Sequence, residues 1–208
     1  PEVRGIPSAA NLRDDLALAD SLDVGALFAR VAPEGATVAA LDSLARALEP
    51  YRRDSTLVLI AIDAGRARQA VTADRVLRLL RPDYLVLYGT RETGPLATTA
   101  ALARRLQPAT RVAVQLSPTS AADSALFDWA TSSTSPVDGI VFSLHPAAGG
   151  ASQTLASLAT AERWMRNEST AHEHWLLAVG APAVQGEDAQ RRFVRHVLAW
   201  GTSRSLVQ

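Results

Sequence analysis

Residues 174–182 have the sequence His174-Trp-Leu-Leu-Ala-Val-Gly-Ala-Pro182, and this stretch decides the predicted fold. Its five consecutive apolar residues, stopped by Gly-Ala-Pro, are typical of a buried parallel strand whose last residues open onto a loop. In barrel enzymes, the loops at that end of the strands carry the catalytic residues. Here the strand ends on Ala178, Val179 and Gly180, whose side chains cannot serve as acid, base, nucleophile or metal ligand.

Similar apolar runs recur along the chain, and residues at helical spacing separate each run from the next. No Gly-x-Gly-x-x-Gly turn follows the first strand and no Walker loop occurs, which disfavours the nucleotide-binding forms of an open sheet. The spacing of about 25 to 30 residues per strand-helix unit favours a closed barrel. We therefore predict a single domain, residues 1–208, folded as a compact α/β barrel of the (β/α)8 TIM type. The predicted strands are 3–6, 26–31, 56–62, 83–89, 111–116, 139–144 and 174–179, with a short, incomplete eighth strand at 205–208. The predicted helices are 12–22, 38–50, 72–80, 95–106, 121–130, 151–164 and 187–200.

Charge and composition exclude several classes of function. The 21 basic residues, all of them Arg, balance 21 acidic ones, so there is no electrostatic case for nucleic acid or an anionic membrane as partner. Cysteine is absent, which excludes disulfides, thiolate metal sites and a cysteine nucleophile. The longest apolar run, residues 57–62, is far too short for a transmembrane segment. The lack of Lys and the surplus of Ala indicate coding bias in a GC-rich bacterial genome, so the Arg content carries no functional weight.

Three runs of sequence resemble a known enzyme family. They are residues 80–89 (Leu-Arg-Pro-Asp-Tyr-Leu-Val-Leu-Tyr-Gly), 135–146 (Ser-Pro-Val-Asp-Gly-Ile-Val-Phe-Ser-Leu-His-Pro) and 175–180 (Trp-Leu-Leu-Ala-Val-Gly), the last followed by Gly-Glu-Asp-Ala-Gln at 186–190. In order and spacing they look like the fourth, sixth and seventh units of clan A retaining glycoside hydrolases. The resemblance implies a barrel with a catalytic glutamate after strand four and a nucleophilic glutamate near the end of strand seven, about 5 Å apart.

The resemblance puts these two roles on Arg91 and Ala178, so both glutamates are missing. Arg stays protonated and Ala cannot form a glycosyl-enzyme intermediate. His145 also stands where the family commonly has the Tyr of a Tyr-Pro pair. The implied protein is a barrel that has lost hydrolysis. Glu92 lies one residue past the expected acid position and supports an alternative, a weakly active glycosidase, although a shift of one residue normally turns a side chain to the opposite face.

Polar side chains at predicted strand ends give the candidate binding residues. In a barrel they would project into one end and bind a small polar ligand. The candidate ligand-binding residues are Arg30, Asp63, Arg91, Glu92, Gln115 and His145. The competing interpretation is a satisfied polar layer in which Asp63 and Arg30 pair.

Other polar and aromatic residues have structural interpretations. No cofactor and no metal site is predicted, because His172 and His174 stand only two residues apart and lack a third ligand. Asp138 precedes a predicted strand, at the amino end of the barrel, where residues serve stability. Three of the four tryptophans fall near helix ends, where packing is their expected use.

The predicted function is that of a noncatalytic, glycoside-hydrolase-like accessory subunit that docks through its helix faces onto other protein subunits of a larger complex. The chain opens on Pro1 rather than Met, and a removed export signal would explain this, so we expect a periplasmic or secreted protein, membrane-associated only through its partners. The alternatives are the weakly active glycosidase and a carbohydrate-binding module that uses Arg30, Asp63, Gln115 and His145.

Overall fold

The computed structural model of the chain describes residues 16, 25–53, 56–118, 121–144, 150–167, 173–178, 188, 191, 195 and 199. Strands and helices alternate through these residues. The elements with defined bounds are β1 (Ala26–Val31), a 3-10 turn (Pro33–Gly35), α1 (Val38–Arg53), β2 (Leu57–Asp63), α2 (Gln69–Leu80), β3 (Tyr84–Tyr88), α3 (Thr93–Leu106), β4 (Arg111–Leu116), α4 (Ala121–Ala130), β5 (Gly139–Leu144), α5 (Gly150–Asn167) and β6 (Glu173–Ala178). The predicted strands and helices in these ranges are confirmed to within a few residues. The predicted strands 3–6 and 205–208 lie outside the described residues, as do the predicted helix 12–22 apart from Leu16 and the predicted helix 187–200 apart from four residues.

The sheet is open, so the predicted closed eight-stranded barrel is wrong. Within the described residues the strands follow the order β1-β2-β3-β4-β5-β6, with β1 and β6 at the two ends and no pairing between them. β1 to β4 pair in parallel, with Ala26 opposite Leu57, Leu59 opposite Tyr84, and Tyr84 opposite Arg111. Alternating strand-helix units are common to barrels and open sheets, whereas closure depends on the stagger between strands. The number of residues between successive strands gives no information about this stagger, so it could not predict closure.

Contacts divide the chain into two compact units. The first comprises the described residues up to Val114 together with Thr134–Gly139, and the second comprises Gln115–Ser133 and the described residues from Ile140 onward. The first unit therefore holds β1 to β3, α1 to α3 and most of β4. Whether the whole of residues 1–208 is a single domain stays a prediction.

The strands of the first unit present two chemically different faces, because successive side chains in a strand point to opposite sides. One face is aliphatic and fully buried, and it includes Val58, Ile60, Ile62, Leu85 and Leu87, all at 0% exposure. The opposite face carries apolar side chains together with polar and aromatic ones. Its polar and aromatic residues include Arg30, Asp63, Tyr84 and Tyr88. This second face, called the polar face below, is where the candidate site lies.

The end of α1 differs from its prediction. The helix continues to Arg53, past Pro50, where helical spacing ended in the sequence. A proline in the last turn removes only one helical hydrogen bond. Tyr51 is buried just after it, and its hydroxyl donates a hydrogen bond of 2.8 Å to the carbonyl of Leu16. This tertiary contact stabilises a turn that the local sequence disfavours.

Two aspartates clamp the amino ends of neighbouring strands in the same way. The Asp83 N–H donates to the Val58 carbonyl at 2.9 Å, and the Asp83 carboxylate accepts the Val58 N–H at 2.7 Å. Asp138 repeats both bonds with Val112, at 2.7 and 2.8 Å, and its carboxylate also accepts a bond of 3.0 Å from Arg104. Asp138 therefore lies at the amino end of the sheet as predicted, and its stabilising role stays a prediction.

The second unit has an aromatic core. Phe127 of α4 stacks on Trp164 of α5 with ring centroids 5.0 Å apart, and Phe142 of β5 lies 6.2 Å from each of them. Offset and tilted aromatic pairs of this kind add stability beyond the area they bury. The predicted packing use of tryptophan is confirmed for Trp164.

Candidate functional site

The carboxyl end of the polar face is built by three neighbouring strands. Arg30 of β1 stands opposite Ala61 of β2, and Asp63 of β2 stands opposite Tyr88 of β3. The guanidinium carbon of Arg30 lies 5.0 Å from the centroid of the Tyr88 ring. Because Ala61, on the intervening strand, is small, the Arg30 side chain can extend over β2 to reach that ring. A guanidinium over a tyrosine face is attracted by the quadrupole of the ring.

Asp63 organises the loop that follows β2. One carboxylate oxygen accepts the Gly65 N–H at 2.9 Å, and the other accepts a bond of 3.3 Å from Nε of Arg66. The side chain of Asp63 is 17% exposed, whereas that of Arg66 is 66% exposed. An aspartate that accepts the N–H of the residue two positions on forms a local turn by itself. Asp63 therefore shapes the loop and orients Arg66.

The loops after β2 and β3 approach each other closely. The Ala64 N–H donates to the Tyr88 carbonyl at 2.7 Å. Gly89 has a φ of 86°, in the left-handed region, and a Cβ atom there would lie only 2.1 Å from Oδ1 of Asp63. A Cβ on Gly65 would in turn lie 2.6 Å from the Gly89 carbonyl oxygen. Only glycine fits position 89 without strain, because other residues rarely adopt this φ.

The loop between β2 and α2 presents arginines to solvent. Arg66 and Arg68 are both exposed, and Arg68 has a φ of 72°, which is uncommon for a residue with a side chain. Within the described residues, Nε is the only nitrogen of the Arg66 guanidinium that bonds to protein. Its two terminal nitrogens therefore remain as donors for another molecule.

Arg91 and Glu92, which were candidates for binding or acid catalysis, are both exposed in the loop after β3. Glu92 is the residue before the first turn of α3, and its side chain makes no capping hydrogen bond, while its backbone N–H donates to Oγ1 of Thr90 at 3.1 Å. An exposed carboxyl lacks the burial by which general acids of glycosidases are tuned. The open sheet also removes the barrel geometry from which Arg91 and Ala178 were assigned as facing positions.

The remaining candidates do not join this group. Gln115 is half-buried near the end of β4 and belongs to the second unit, and His145 lies outside the described residues. Among the six candidates, the structure thus brings Arg30 and Asp63 together on one face. Two participants were missed by sequence reasoning, Tyr88 and Arg66. The Asp-Ala-Gly sequence after β2 was the available signal for a turn that would bring Arg66 to Asp63.

The described residues show neither a metal cluster nor a membrane span. In those ranges no three His, Asp or Glu side chains are grouped so that they could hold a metal ion. None of the helices found in the same ranges combines the length and hydropathy that a membrane span requires.

No family model, curated protein or solved structure matches this chain. The likeness to glycoside hydrolases therefore rests on the three sequence runs alone, and none of these comparisons supports membership of that family.

Proposed function

We propose that the chain is a noncatalytic accessory domain that docks onto another protein subunit through one face of α2. The observation that carries this proposal is an exposed valine set in a row of arginines. The row consists of Arg68, Val71, Arg75 and Arg78, and it is called the α2 outer face below. Val71, Arg75 and Arg78 are three and four residues apart and therefore lie on one side of α2, while Arg68 is the residue that immediately precedes the helix.

A second exposed valine lies on the neighbouring helix. Val71 is 49% exposed and Val38, in the first turn of α1, is 53% exposed. Nη1 of Arg75 donates to the Ala36 carbonyl at 2.9 Å, which ties α2 to the segment just before α1. A single exposed valine is ordinary, and the proposal uses the presence of one on each of two adjoining helices.

The charge of the α2 outer face indicates the chemistry of the partner. Between residues 64 and 82 the chain has five arginines and a single acidic residue, Asp74. Asp74 accepts a hydrogen bond of 2.9 Å from Arg78, whereas Arg75 bonds to a neutral carbonyl and forms no ion pair with any of the described residues. Complementary charges favour association between protein surfaces. The matching surface is therefore acidic, with an apolar side chain at its centre.

The hydrogen bonds made by the Asp63 carboxylate support a noncatalytic role for the protein. Its two carboxylate oxygens are engaged by the Gly65 N–H and by Arg66, and the Gly89 backbone lies against them. A general base or nucleophile must reach a substrate atom, and a carboxylate used in this way to hold a loop is poorly placed to do so. Docking requires no such group.

The test compares three forms of the full chain, the wild type, Val71→Asp and Ala101→Asp. Each is immobilised, exposed to an extract of its native source, crosslinked and examined by mass spectrometry. Val71→Asp introduces a negative charge at the centre of the α2 outer face, whereas Ala101 is exposed on α3 and provides a matched control. We expect one partner to be retained by the wild type and the control and roughly tenfold less of it by Val71→Asp, because central interface residues contribute most to affinity.

A partner recovered equally by all three forms would contradict docking through α2. A second measurement is the area buried in the isolated complex. A stable interface should bury at least about 1,000 Å² in total and should include Val71. An interface that leaves the α2 outer face exposed would refute the proposal.

A further inference from the structure

We infer that the Asp63 carboxylate holds the first turn of α2 in place, by fixing the loop before it so that Arg68 keeps a backbone conformation that an arginine rarely adopts. The loop consists of residues 64–68 and joins β2 to α2. Val71, on which docking depends, is the third residue of α2. The effect of Asp63 on the turn is independent of any partner, and only its consequence for docking rests on the proposed function.

The backbone of Arg68 is unusual for a residue that precedes a helix. It has a φ of 72° and a ψ of 13°, in the left-handed region. A residue at this position normally has an extended backbone and a short polar side chain that caps the helix. Arg68 is exposed and makes no capping hydrogen bond. Because left-handed residues other than glycine persist only where the surrounding structure fixes them, other residues must hold Arg68 in this conformation.

The first turn of α2 depends on the conformation of Arg68. The Arg68 carbonyl accepts the N–H of Val71 at 3.0 Å and that of Thr72 at 3.1 Å. The Thr72 hydroxyl donates to the same carbonyl at 3.4 Å. The backbone angles of Arg68 set the direction in which this carbonyl points. A change in these angles would therefore weaken all three bonds and loosen the turn that carries Val71.

Asp63 fixes the loop from the end of β2. Its carboxylate accepts the Gly65 N–H at 2.9 Å and a bond of 3.3 Å from Nε of Arg66, and both donors belong to the loop. The Ala64 N–H also donates to the Tyr88 carbonyl at 2.7 Å, but this bond fixes only the first residue of the loop. Among the described residues, Asp63 is the side chain of the sheet that bonds to the loop. It is therefore a positioning residue for α2.

Amide hydrogen exchange followed by NMR tests this inference on the full chain without a partner. The forms compared are the wild type, Asp63→Ala and the double variant Asp63→Ala/Arg68→Gly. The exchange rates of the Val71 and Thr72 amides are expressed relative to that of Leu77, a fully buried residue later in α2. We expect these relative rates to rise about tenfold in Asp63→Ala. They should return to within about threefold of the wild type in the double variant, because glycine adopts the left-handed conformation without strain.

The double variant separates this inference from a general loosening of the loop. Glycine makes an unconstrained loop more mobile, so faster exchange in the double variant than in Asp63→Ala would overturn the inference. Unchanged exchange in Asp63→Ala would also overturn it. Asp74→Asn is the matched control, because it removes another aspartate–arginine pair, with Arg78, that lies within α2 and outside the loop. The relative rates in this control should stay at the wild-type values.

A second variant is available if Asp63→Ala does not fold by circular dichroism. Asp63→Asn keeps an oxygen that can accept the Gly65 N–H but loses the charged bond with Arg66. It should accelerate exchange of the Val71 amide in the same way, and Arg68→Gly should reverse the effect. Exchange at the wild-type rate in a folded Asp63→Asn would then overturn the inference.

The consequence for docking is tested by adding Asp63→Ala to the crosslinking capture described above. Asp63 lies outside the α2 outer face, so we expect less partner to be retained only because the turn that carries Val71 has loosened. Equal retention by Asp63→Ala and the wild type would overturn this consequence. If the wild type itself retains no partner, the docking proposal fails, while the exchange rates still decide whether Asp63 holds the turn.

Discussion

Replacing Gly89 with alanine should destabilise the first unit through a single methyl group. The residue has a φ of 86°, and the added Cβ would lie 2.1 Å from Oδ1 and 2.6 Å from Cγ of Asp63. Contacts this short cannot be tolerated, so either the backbone or the Asp63 side chain must move. Movement of the carboxylate would weaken its bonds with the Gly65 N–H and with Arg66.

The expected loss has two parts. Holding an alanine in the left-handed region costs about 1–2 kcal/mol. Displacing the carboxylate of Asp63 costs about 1.5–3 kcal/mol more, because its hydrogen bond from the Gly65 N–H is charge-assisted. The two parts sum to about 2.5–5 kcal/mol, a large share of the stability of an ordinary domain.

Urea unfolding followed by circular dichroism measures this loss, and Gly94→Ala is the matched control. Gly94 lies in the first turn of α3, and no atom lies within 4 Å of the position that a Cβ would take there, so alanine should be neutral or stabilising by up to about 1 kcal/mol. In an Asp63→Ala background the steric part disappears, and Gly89→Ala should cost only about 1–2 kcal/mol. A loss below about 1 kcal/mol in the wild-type background, or the same loss in both backgrounds, would refute the proposed contact.

The remaining predictions concern the amino end of the sheet and the second unit. Asp138→Ala should lower the free energy of unfolding by about 1–3 kcal/mol, because a backbone N–H loses its charged acceptor. Arg104→Gln, which removes an exposed ion pair and an exposed hydrogen bond to the Pro136 carbonyl, should cost less than about 1 kcal/mol. Equal losses in these two variants, measured by urea unfolding, would show that the clamp does not depend on the backbone bond. Phe142→Ala should cost about 3–5 kcal/mol, because this side chain is 1% exposed and contacts two aromatic rings. A shift of less than about 1 kcal/mol in the same assay would argue against an aromatic core.

Local sequence signals predicted the strands and helices correctly, but they did not predict whether the sheet closes into a barrel. The helix α2 ends at Leu80 because Pro82 follows, and Arg81 takes a φ of 43° between them. A proline acts on the backbone of the residues next to it, so this kind of helix end can be predicted from the sequence. The stagger of β1 against β2 depends instead on residues far apart in the chain, and the closed barrel was predicted without that information. At Pro50 the local sequence signal failed. The proline predicted the end of the helix, but a hydrogen bond from Tyr51 to a residue far away in the sequence stabilises the next turn.

The sequence predicted two residues of the candidate site, Arg30 and Asp63, but it did not predict which side chains they contact. Arg30 and Asp63 were recognised because polar residues ending apolar strands are conspicuous. The bond to Asp63 from Arg66 is an i,i+3 contact within one loop, while Arg30 reaches Tyr88 two strands away. The first contact follows from a turn sequence, and the second needs the register of three strands. Period-two alternation within β2 and β3 could have shown that one face was polar, but the long apolar runs indicated uniform burial.

Whole-chain charge concealed the feature on which the docking proposal depends. The equal numbers of basic and acidic residues argued against nucleic acid and anionic membranes as partners, yet attraction acts over about 10 Å at ordinary salt and therefore depends on local charge. Residues 64–82 concentrate five arginines beside one aspartate, and α2 places Arg75 and Arg78 on the side that also exposes Val71. Because an amphipathic helix confines its charged residues to the exposed side in any case, the docking proposal depends on the local excess of positive charge beside Val71 and not on the alignment of the arginines alone.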